Sequence, residues 1–154
     1  MDQEQKLSEN LEDYLEVILK LEKTRKVARG KEIAQRLNIQ PGSVTGALKT
    51  LDKKGLIHWE KYGYITLTPK GLHIAENIAR RHNVLKNFLV HVLQIDAPSA
   101  DATACRMEHA IDDTIMERLV SFIEYLDACP HSVTNCPKAF DSYRKNNVLG
   151  SREK

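Results

Sequence analysis

The 154-residue sequence has few cysteines, no long apolar run and no leader-like start. Its 3 cysteines lack the spacing of a disulfide framework, which indicates a reducing compartment. No run of about 18 apolar residues occurs, so we expect no membrane-spanning helix. Residues 1–10 lack a basic segment followed by an apolar one, so we expect no signal peptide. These features predict a cytoplasmic protein.

The sequence also lacks common signatures of enzymes. It has no glycine-rich phosphate loop and no His-Glu-x-x-His helix, so we predict that it is not an enzyme. The alternatives from other classes are a metal-dependent hydrolase with Glu108 as general base and a metal-storage or delivery protein. A DNA-binding protein controlled by an organic ligand or by the cysteines is a further alternative.

Charge is distributed unevenly along the chain, whose formal net charge is +2. Residues 25–81 carry a net charge of +8, residues 1–24 carry −4 and residues 82–154 carry −2. A basic block between acidic flanks is expected of a protein that binds a phosphate backbone. Solvated surface charge would give the same pattern, so it has meaning only together with a DNA-binding motif.

Apolar periodicity around the start of the basic block predicts three helices. They cover residues 11–24, residues 29–37 and a segment that begins at Pro41 and ends at Gly55, with a turn at residues 38–40. Proline is tolerated in the first turn of a helix, and glycine is favoured just after a helix end.

Two β-prone segments follow these helices, at residues 56–60 and 64–68. Lys61-Tyr62-Gly63 joins them, which predicts a hairpin. Helix, helix, turn, helix and hairpin is the order of a winged helix-turn-helix domain.

In such a domain the second helix of the turn motif enters the major groove by its N-terminal residues. Ser43 and Thr45 could contact bases or phosphates there. Gly46 costs about 1 kcal/mol relative to alanine in a helix interior. A close approach to DNA or tight packing against the preceding helix would each explain that glycine. The predicted DNA-binding residues are Arg29, Gln40, Ser43, Thr45, Gly46, Lys49 and Lys61.

The second half predicts three more helices. Thr68-Pro69 caps a helix that reaches about Leu93, Ser99 caps the next one, and Asp112-Asp113 starts the last. These helices are too apolar to bury all their surface within one chain. Association into a homodimer would bury the remaining apolar surface, and dimers suit palindromic double-stranded operators.

Cys105, Glu108 and His109 stand at positions i, i+3 and i+4 of the predicted middle helix, so they share a face. A thiolate, a carboxylate and an imidazole suit a divalent transition metal. Cys105 could instead be a small buried hydrophobic residue, and His82 and His109 could be polar residues at helix edges. Asp13 and Glu16 could likewise be ordinary solvated helix residues. The other potential ligands are His82, Asp13 and Glu16.

We therefore predict a mainly α fold with a small β-hairpin wing. Residues 1–72 form the winged helix-turn-helix DNA-binding domain, and residues 73–128 form an all-helical metal-binding and dimerisation domain. Residues 129–154 form a C-terminal extension. There Cys129, His131 and Cys136 could make a small metal or redox site, although a plain structural extension fits better.

From about Leu7 to Pro130 the chain resembles the diphtheria toxin repressor family of metal-dependent regulators, including its manganese-responsive branch. Five segments carry the resemblance in order and spacing: Glu12-Asp13-Tyr14-Leu15-Glu16, Pro41-Gly42-Ser43-Val44-Thr45, Leu67-Thr68-Pro69-Lys70-Gly71, Arg81-His82 and Cys105-x-x-Glu108-His109.

The resemblance implies either one metal or a closely spaced pair. Cys105, Glu108 and His109 match the DNA-activating site of the iron-responsive branch, and Asp13 matches the aspartate of the manganese branch. A pair would add Glu16 and His82, which match a second position of the manganese branch.

The resemblance also implies that one site of the iron branch is lost. The glutamate of its ancillary site falls at Lys86 and one histidine falls at Asp101, and a protonated lysine is no ligand. The larger iron regulators append an SH3-like domain, and the length of this chain indicates the short form without it.

The implied function is a homodimeric, metal-dependent repressor of genes for metal uptake and homeostasis. Thiolate ligation favours Fe(II) as the effector, because Mn(II) prefers oxygen and nitrogen ligands. Mn(II) is the alternative, and Zn(II), Co(II) or Ni(II) are expected to substitute in vitro.

Overall fold

The structure is a computed structural model that describes residues 7–60 and 63–128. The chain divides into two compact units, with the boundary between Ala79 and Arg80. This boundary lies inside the same helix as residue 72, where the sequence predicted the first domain to end. Among the described residues, none of the helices combines the length and apolarity needed to cross a membrane.

The order of elements confirms a winged helix-turn-helix domain followed by an all-helical part. A π-helical turn at Phe88–Val92 follows the fourth helix. The elements are α1 (Glu9–Arg25), α2 (Gly30–Leu37), α3 (Pro41–Lys53), β1 (Ile57–Trp59), β2 (Ile65–Leu67), α4 (Pro69–Asn87), α5 (Ala97–Met107) and α6 (Asp113–Ala128).

Helix α3 has the boundaries that its sequence predicts. Pro41 occupies the first turn, where a missing N–H group costs no hydrogen bond. Gly55 follows the helix with a φ of +67°, a left-handed conformation that glycine adopts without a Cβ penalty. The helix therefore begins and ends where residue chemistry requires.

The wing is a short antiparallel hairpin with an additional backbone partner. Ile57 pairs with Leu67, and Trp59 pairs with Ile65. Ala28, between α1 and α2, exchanges two backbone hydrogen bonds with Ile65, at 3.0 and 2.9 Å. This bridge connects the helical part of the first unit to the wing.

One apolar core holds the first unit together. The fully buried side chains of Leu15, Ile18, Ile33, Leu51 and Ile65 come from α1, α2, α3 and the hairpin. Burial of apolar surface is the main favourable contribution to such a fold. The outer face of α3 does not pack in this core.

In the second unit, one predicted helix cap is wrong and another is correct. The side chain of Asp96 accepts a hydrogen bond from the Ser99 N–H at 3.0 Å, so Asp96 rather than Ser99 caps α5. A carboxylate is a strong N-cap acceptor, and Pro98 fits the first turn that follows it. Asp112 caps α6 as predicted, because it accepts a hydrogen bond from the Ile115 N–H at 2.9 Å.

Candidate metal centre and nucleic-acid interface

The predicted DNA-reading residues lie on the outer side of α3. Its inner side buries Val44 and Leu48 in the core. A helix that is anchored by one face can present the opposite face to a ligand. The exposed residues at this face include Gln40, Ser43, Thr45, Gly46 and Lys49.

Gly46 is surrounded by open space. A Cβ atom added to it would meet no atom of the described residues within 4 Å, apart from its chain neighbours and its own helix backbone. Tight packing against the preceding helix, one of the two explanations for this glycine, is therefore wrong. A close approach of the α3 backbone to DNA stays a prediction.

Arg29 is held at the wing by a tyrosine. Its guanidinium carbon lies 5.1 Å from the centroid of the Tyr64 ring, and Nη2 donates a hydrogen bond to the tyrosine hydroxyl at 3.3 Å. Both side chains are exposed. The Tyr64 ring therefore holds the positively charged guanidinium of Arg29 in a defined position at the surface, as a phosphate contact requires. Lys61, the other predicted wing contact, lies outside the described residues.

A groove of about 750 Å³ lies between α3 and the wing. Val44, Leu48 and Trp59 give it an apolar wall, and Arg29 and Lys31 bring positive charge to it. Pro41 and Thr45, which are exposed on α3, also line this groove, so we regard it as part of the same candidate DNA-binding surface.

The second unit gathers metal-binding donors around Glu108. Cys105, Glu108 and His109 each offer one donor atom, and these three atoms lie within 4.8 Å of one another. His82 Nδ1 lies 2.7 Å from Glu108 Oε2, and His109 Nε2 lies 3.5 Å from Oε1. Glu108 is only 1% exposed, so its charge must be met by neighbouring groups or by a cation.

The backbone around Glu108 differs from the prediction. Helix α5 ends at Met107, so Glu108 is its C-cap and His109 lies in the following turn. Glu108 keeps a helical backbone, with φ −59° and ψ −29°, and its N–H bonds to the Ala104 carbonyl at 2.9 Å. For this reason its side chain still converges with that of Cys105.

Lys86 and Asp101, which the sequence marked as a lost metal site, contact each other. Lys86 Nζ lies 2.6 Å from Asp101 Oδ1, and His82 Nε2 lies 3.1 Å from the same oxygen. The Lys86 ammonium, followed by His82, holds the pKa of Asp101 below its ordinary value. No sequence motif indicates that Asp101 contacts His82, because that contact depends on how α4 and α5 pack.

In the first unit, Asp13 and Glu16 lie one turn apart on α1. Asp13 is half-buried, whereas Glu16 is buried and its Oε1 lies 2.8 Å from Lys20 Nζ. Two carboxylates at positions i and i+3 share one side of a helix, which is the arrangement that the sequence predicted. In the C-terminal extension, Cys129, His131 and Cys136 lie outside the described residues.

The donor chemistry fits a divalent transition metal. A thiolate, a carboxylate and imidazole nitrogens occur together, and Glu108 and His109 are both buried. Borderline cations such as Fe(II), Co(II) and Zn(II) bind such mixed ligand sets.

Two family models match the chain. "Iron dependent repressor, N-terminal DNA binding domain" matches residues 6–65. "Iron dependent repressor, metal binding and dimerisation domain" matches residues 68–136.

Similar proteins point the same way. An uncharacterised HTH-type transcriptional regulator of Methanocaldococcus jannaschii is 40% identical over 119 residues, which cover 77% of this chain and 95% of the relative. The HTH-type transcriptional regulator MntR of Lysinibacillus sphaericus is 31% identical over 124 residues, covering 80% and 88%. The solved structure of the manganese regulator SloR has a TM-score of 0.68 at 30% identity, covering 81% of this chain and 58% of its own.

The fold and these similarities are those of a metal-dependent transcriptional regulator rather than an enzyme. The chain belongs to the iron-dependent repressor family. The resemblance to the diphtheria toxin repressor family, the mainly helical fold and the hairpin wing are thereby confirmed. The chain spans just over half the length of the solved SloR chain.

Proposed function

We propose that this protein is a metal-activated repressor that binds a palindromic operator as a homodimer. The observation that carries the proposal is the convergence of Cys105, Glu108 and His109 donors within 4.8 Å, in a chain that also has a winged helix-turn-helix unit. The proposed ligands are these three residues with Asp13 at one metal position, and Glu16 and His82 with Glu108 at a second.

Fe(II) is the effector that the donor set favours. The Cys105 thiolate is a softer ligand than the oxygen donors that Mn(II) prefers. Mn(II) is the second candidate, supported by the Asp13 and Glu16 carboxylates and by the names of the relatives MntR and SloR. A cell must import both Fe(II) and Mn(II). This supports the proposal that the regulated genes serve metal uptake and homeostasis.

The proposed ligand set explains how metal and DNA binding are linked. A divalent metal, when bound, would supply positive charge that offsets the carboxylates. Asp13 and Glu16 belong to α1, whose buried residues form part of the core beneath the DNA-reading helix. Ligands on α1 and in the second unit would make DNA affinity depend on metal occupancy, and the dependence is reciprocal. A typical coupling of ~1–3 kcal/mol changes affinity ~5–150-fold.

The DNA side of the proposal rests on exposed residues of the first unit. Gln40, Ser43, Thr45 and Lys49 would contact bases and phosphates from α3, and Arg29 would contact phosphate from beside the wing. Lys61 is proposed as a second wing contact, and Gly46 as a point of close backbone approach. We propose that the protein acts in the cytoplasm, where its operator lies.

Anaerobic fluorescence anisotropy tests this function directly. Labelled DNA from upstream of the protein's own gene is titrated at fixed salt with chelator, Fe(II), Mn(II) or Zn(II). Tight binding with metal and weak binding with chelator is the expected result. Equal binding with and without chelator would refute metal activation.

A matched pair of variants ties the effect to the donor cluster. Glu108→Gln keeps the size of a buried ligand while removing its charge, so metal-dependent DNA binding should be lost. Glu117→Gln makes the same change at an exposed position of α6 and should behave as the wild type. Full metal dependence in Glu108→Gln would place the effector site elsewhere.

A further inference from the structure

The imidazole ring of His82 lies between two carboxyl groups of the second unit. Nδ1 faces Glu108 Oε2 at 2.7 Å, and Nε2 faces Asp101 Oδ1 at 3.1 Å. The Glu108 side chain is fully buried, whereas that of Asp101 is 52% exposed. The two ring nitrogens therefore have different surroundings, one towards the donor cluster and one towards solvent.

Asp101 is itself held by a cation. Lys86 lies one helical turn after His82 on α4, and its Nζ is 2.6 Å from the same oxygen that meets His82 Nε2. A carboxylate oxygen only accepts hydrogen bonds, so each ring nitrogen of His82 donates to its carboxylate, Nε2 to Asp101 and Nδ1 to Glu108. The hydrogen on Nδ1, which faces the donor cluster, is the one that a bound metal would replace. Lys86 and His82 thus bind one oxygen of Asp101 from neighbouring positions of the same helix.

We propose that Asp101, held by Lys86, is a positioning residue that keeps His82 Nε2 protonated and offers Nδ1 to the metal. The proposal rests on the proposed function, because it assigns a role in a metal site that contains His82. Metal-binding histidines commonly donate their second ring N–H to a carboxylate, which sets the ring orientation and strengthens the ligand. No other acidic group among the described residues is shown within hydrogen-bond distance of Nε2.

If Asp101 had a purely structural role, its removal would lower the stability of the fold more than the affinity for metal. The exposure of its ion pair argues against such a role. The Lys86–Asp101 ion pair is partly exposed, and exposed ion pairs contribute little to stability. Removing Asp101 should therefore change metal binding far more than unfolding. Arg81 and Asp113 form a comparable exposed pair from the same helix that does not touch His82, which makes Asp113→Ala the matched control.

Long-range ¹H–¹⁵N spectra of the histidine rings test the proposal in the full-length Zn(II)-loaded protein. These spectra distinguish a metal-bound ring nitrogen from a protonated one. In the wild type and in Asp113→Ala, His82 should show a metal-bound Nδ1 and a protonated Nε2. In Asp101→Ala this single pattern should be lost, and Asp101→Asn should retain it because its amide oxygen still accepts from Nε2.

Competition with a chelating indicator gives the second readout, with no DNA present. Zn(II) and Mn(II) affinity should fall about tenfold in Asp101→Ala, with a smaller loss in Asp101→Asn and in Lys86→Ala and none in Asp113→Ala. Unchanged ring pattern and affinity in Asp101→Ala, or coordination of wild-type His82 through Nε2, would overturn this proposal and leave the proposed function standing. A wild-type protein that binds no metal would instead refute both.

Discussion

The backbone of Gly71, in the first turn of α4, lies against the carbonyl group of Leu56, which precedes β1. A Cβ atom added to Gly71 would lie 1.8 Å from the Leu56 oxygen and 2.8 Å from its carbonyl carbon. Leu56 also accepts a hydrogen bond from the Thr68 N–H at 3.0 Å, and the Thr68 hydroxyl accepts one from the Gly71 N–H at 3.1 Å. The start of α4 is thus fixed to the wing by a contact that only glycine permits.

Gly71→Ala should therefore strongly destabilise the protein. The obstacle is backbone rather than a movable side chain, so α4 would have to shift and lose the Thr68 hydrogen bonds. We expect a loss of about 3 kcal/mol, the upper end for overpacking, measured by urea unfolding. Gly42→Ala is the control, because a Cβ there meets nothing within 4 Å. Equal midpoints for the two variants would contradict the close contact.

Gly46→Ala should separate stability from DNA binding. Open space around Gly46 means that alanine costs no packing, so its helix propensity should stabilise the free protein by about 1 kcal/mol. The same methyl group should weaken metal-dependent DNA binding if the α3 backbone approaches DNA closely. Urea unfolding and anisotropy on one preparation check both effects. A more stable variant with unchanged DNA affinity would remove DNA proximity as the reason for this glycine.

Arg29→Ala should weaken binding to all DNA sequences alike. The Tyr64 ring and hydroxyl hold the guanidinium of Arg29 in place. The proposed contact of Arg29 is with a DNA phosphate, which carries no sequence information. Loss of one phosphate contact should lower the slope of log affinity against log salt by about 1. Tyr64→Phe keeps the stacked ring, so it should have a smaller effect. Arg118→Ala, an exposed change on α6, should leave the slope unaltered.

Local residue chemistry made several element boundaries predictable. Pro41 and Gly55 mark boundaries through backbone preferences, and Thr68 marks one through a side-chain oxygen that accepts a hydrogen bond from the Gly71 N–H. None of these signals needs knowledge of the fold. Ser99 misled because Asp96, three residues earlier, offers a stronger acceptor to the same helix end. Which of two nearby polar residues caps a helix depends on backbone geometry that the sequence does not show.

Contacts between distant segments could not be predicted. Ala28 bonds to Ile65 only after the wing folds back onto the helices. Asp101 reaches His82 only because α4 and α5 pack together, whereas spacing alone made Lys86 and Asp101 look like the remains of a lost site. The donors Cys105 and Glu108 were predictable because they lie within one turn of the same chain segment.

Phe122→Asp should shift the protein from dimer to monomer. Ile115, Phe122 and Tyr125 are 53%, 47% and 65% exposed, and their spacing places them on one side of α6. We propose that a second copy of the chain covers this side, so a charge there should disrupt association. Sedimentation velocity measures the change. Ile39→Asp, at an exposed apolar residue of the first unit, should remain dimeric, and a dimeric Phe122→Asp would place the interface elsewhere.

Cys105→Asp should change which metal activates the protein. The substitution replaces a soft thiolate with a hard carboxylate beside Glu108 and His109, so it should lower affinity for Zn(II) and Co(II) while preserving Mn(II) binding. The activation order in anaerobic anisotropy should then move from Fe(II) towards Mn(II). Cys105→Ala controls for simple loss of a ligand and should weaken binding of every metal. An unchanged order in Cys105→Asp would mean that the thiol does not ligate the activating metal, and that metal choice rests on the remaining carboxylate and imidazole donors.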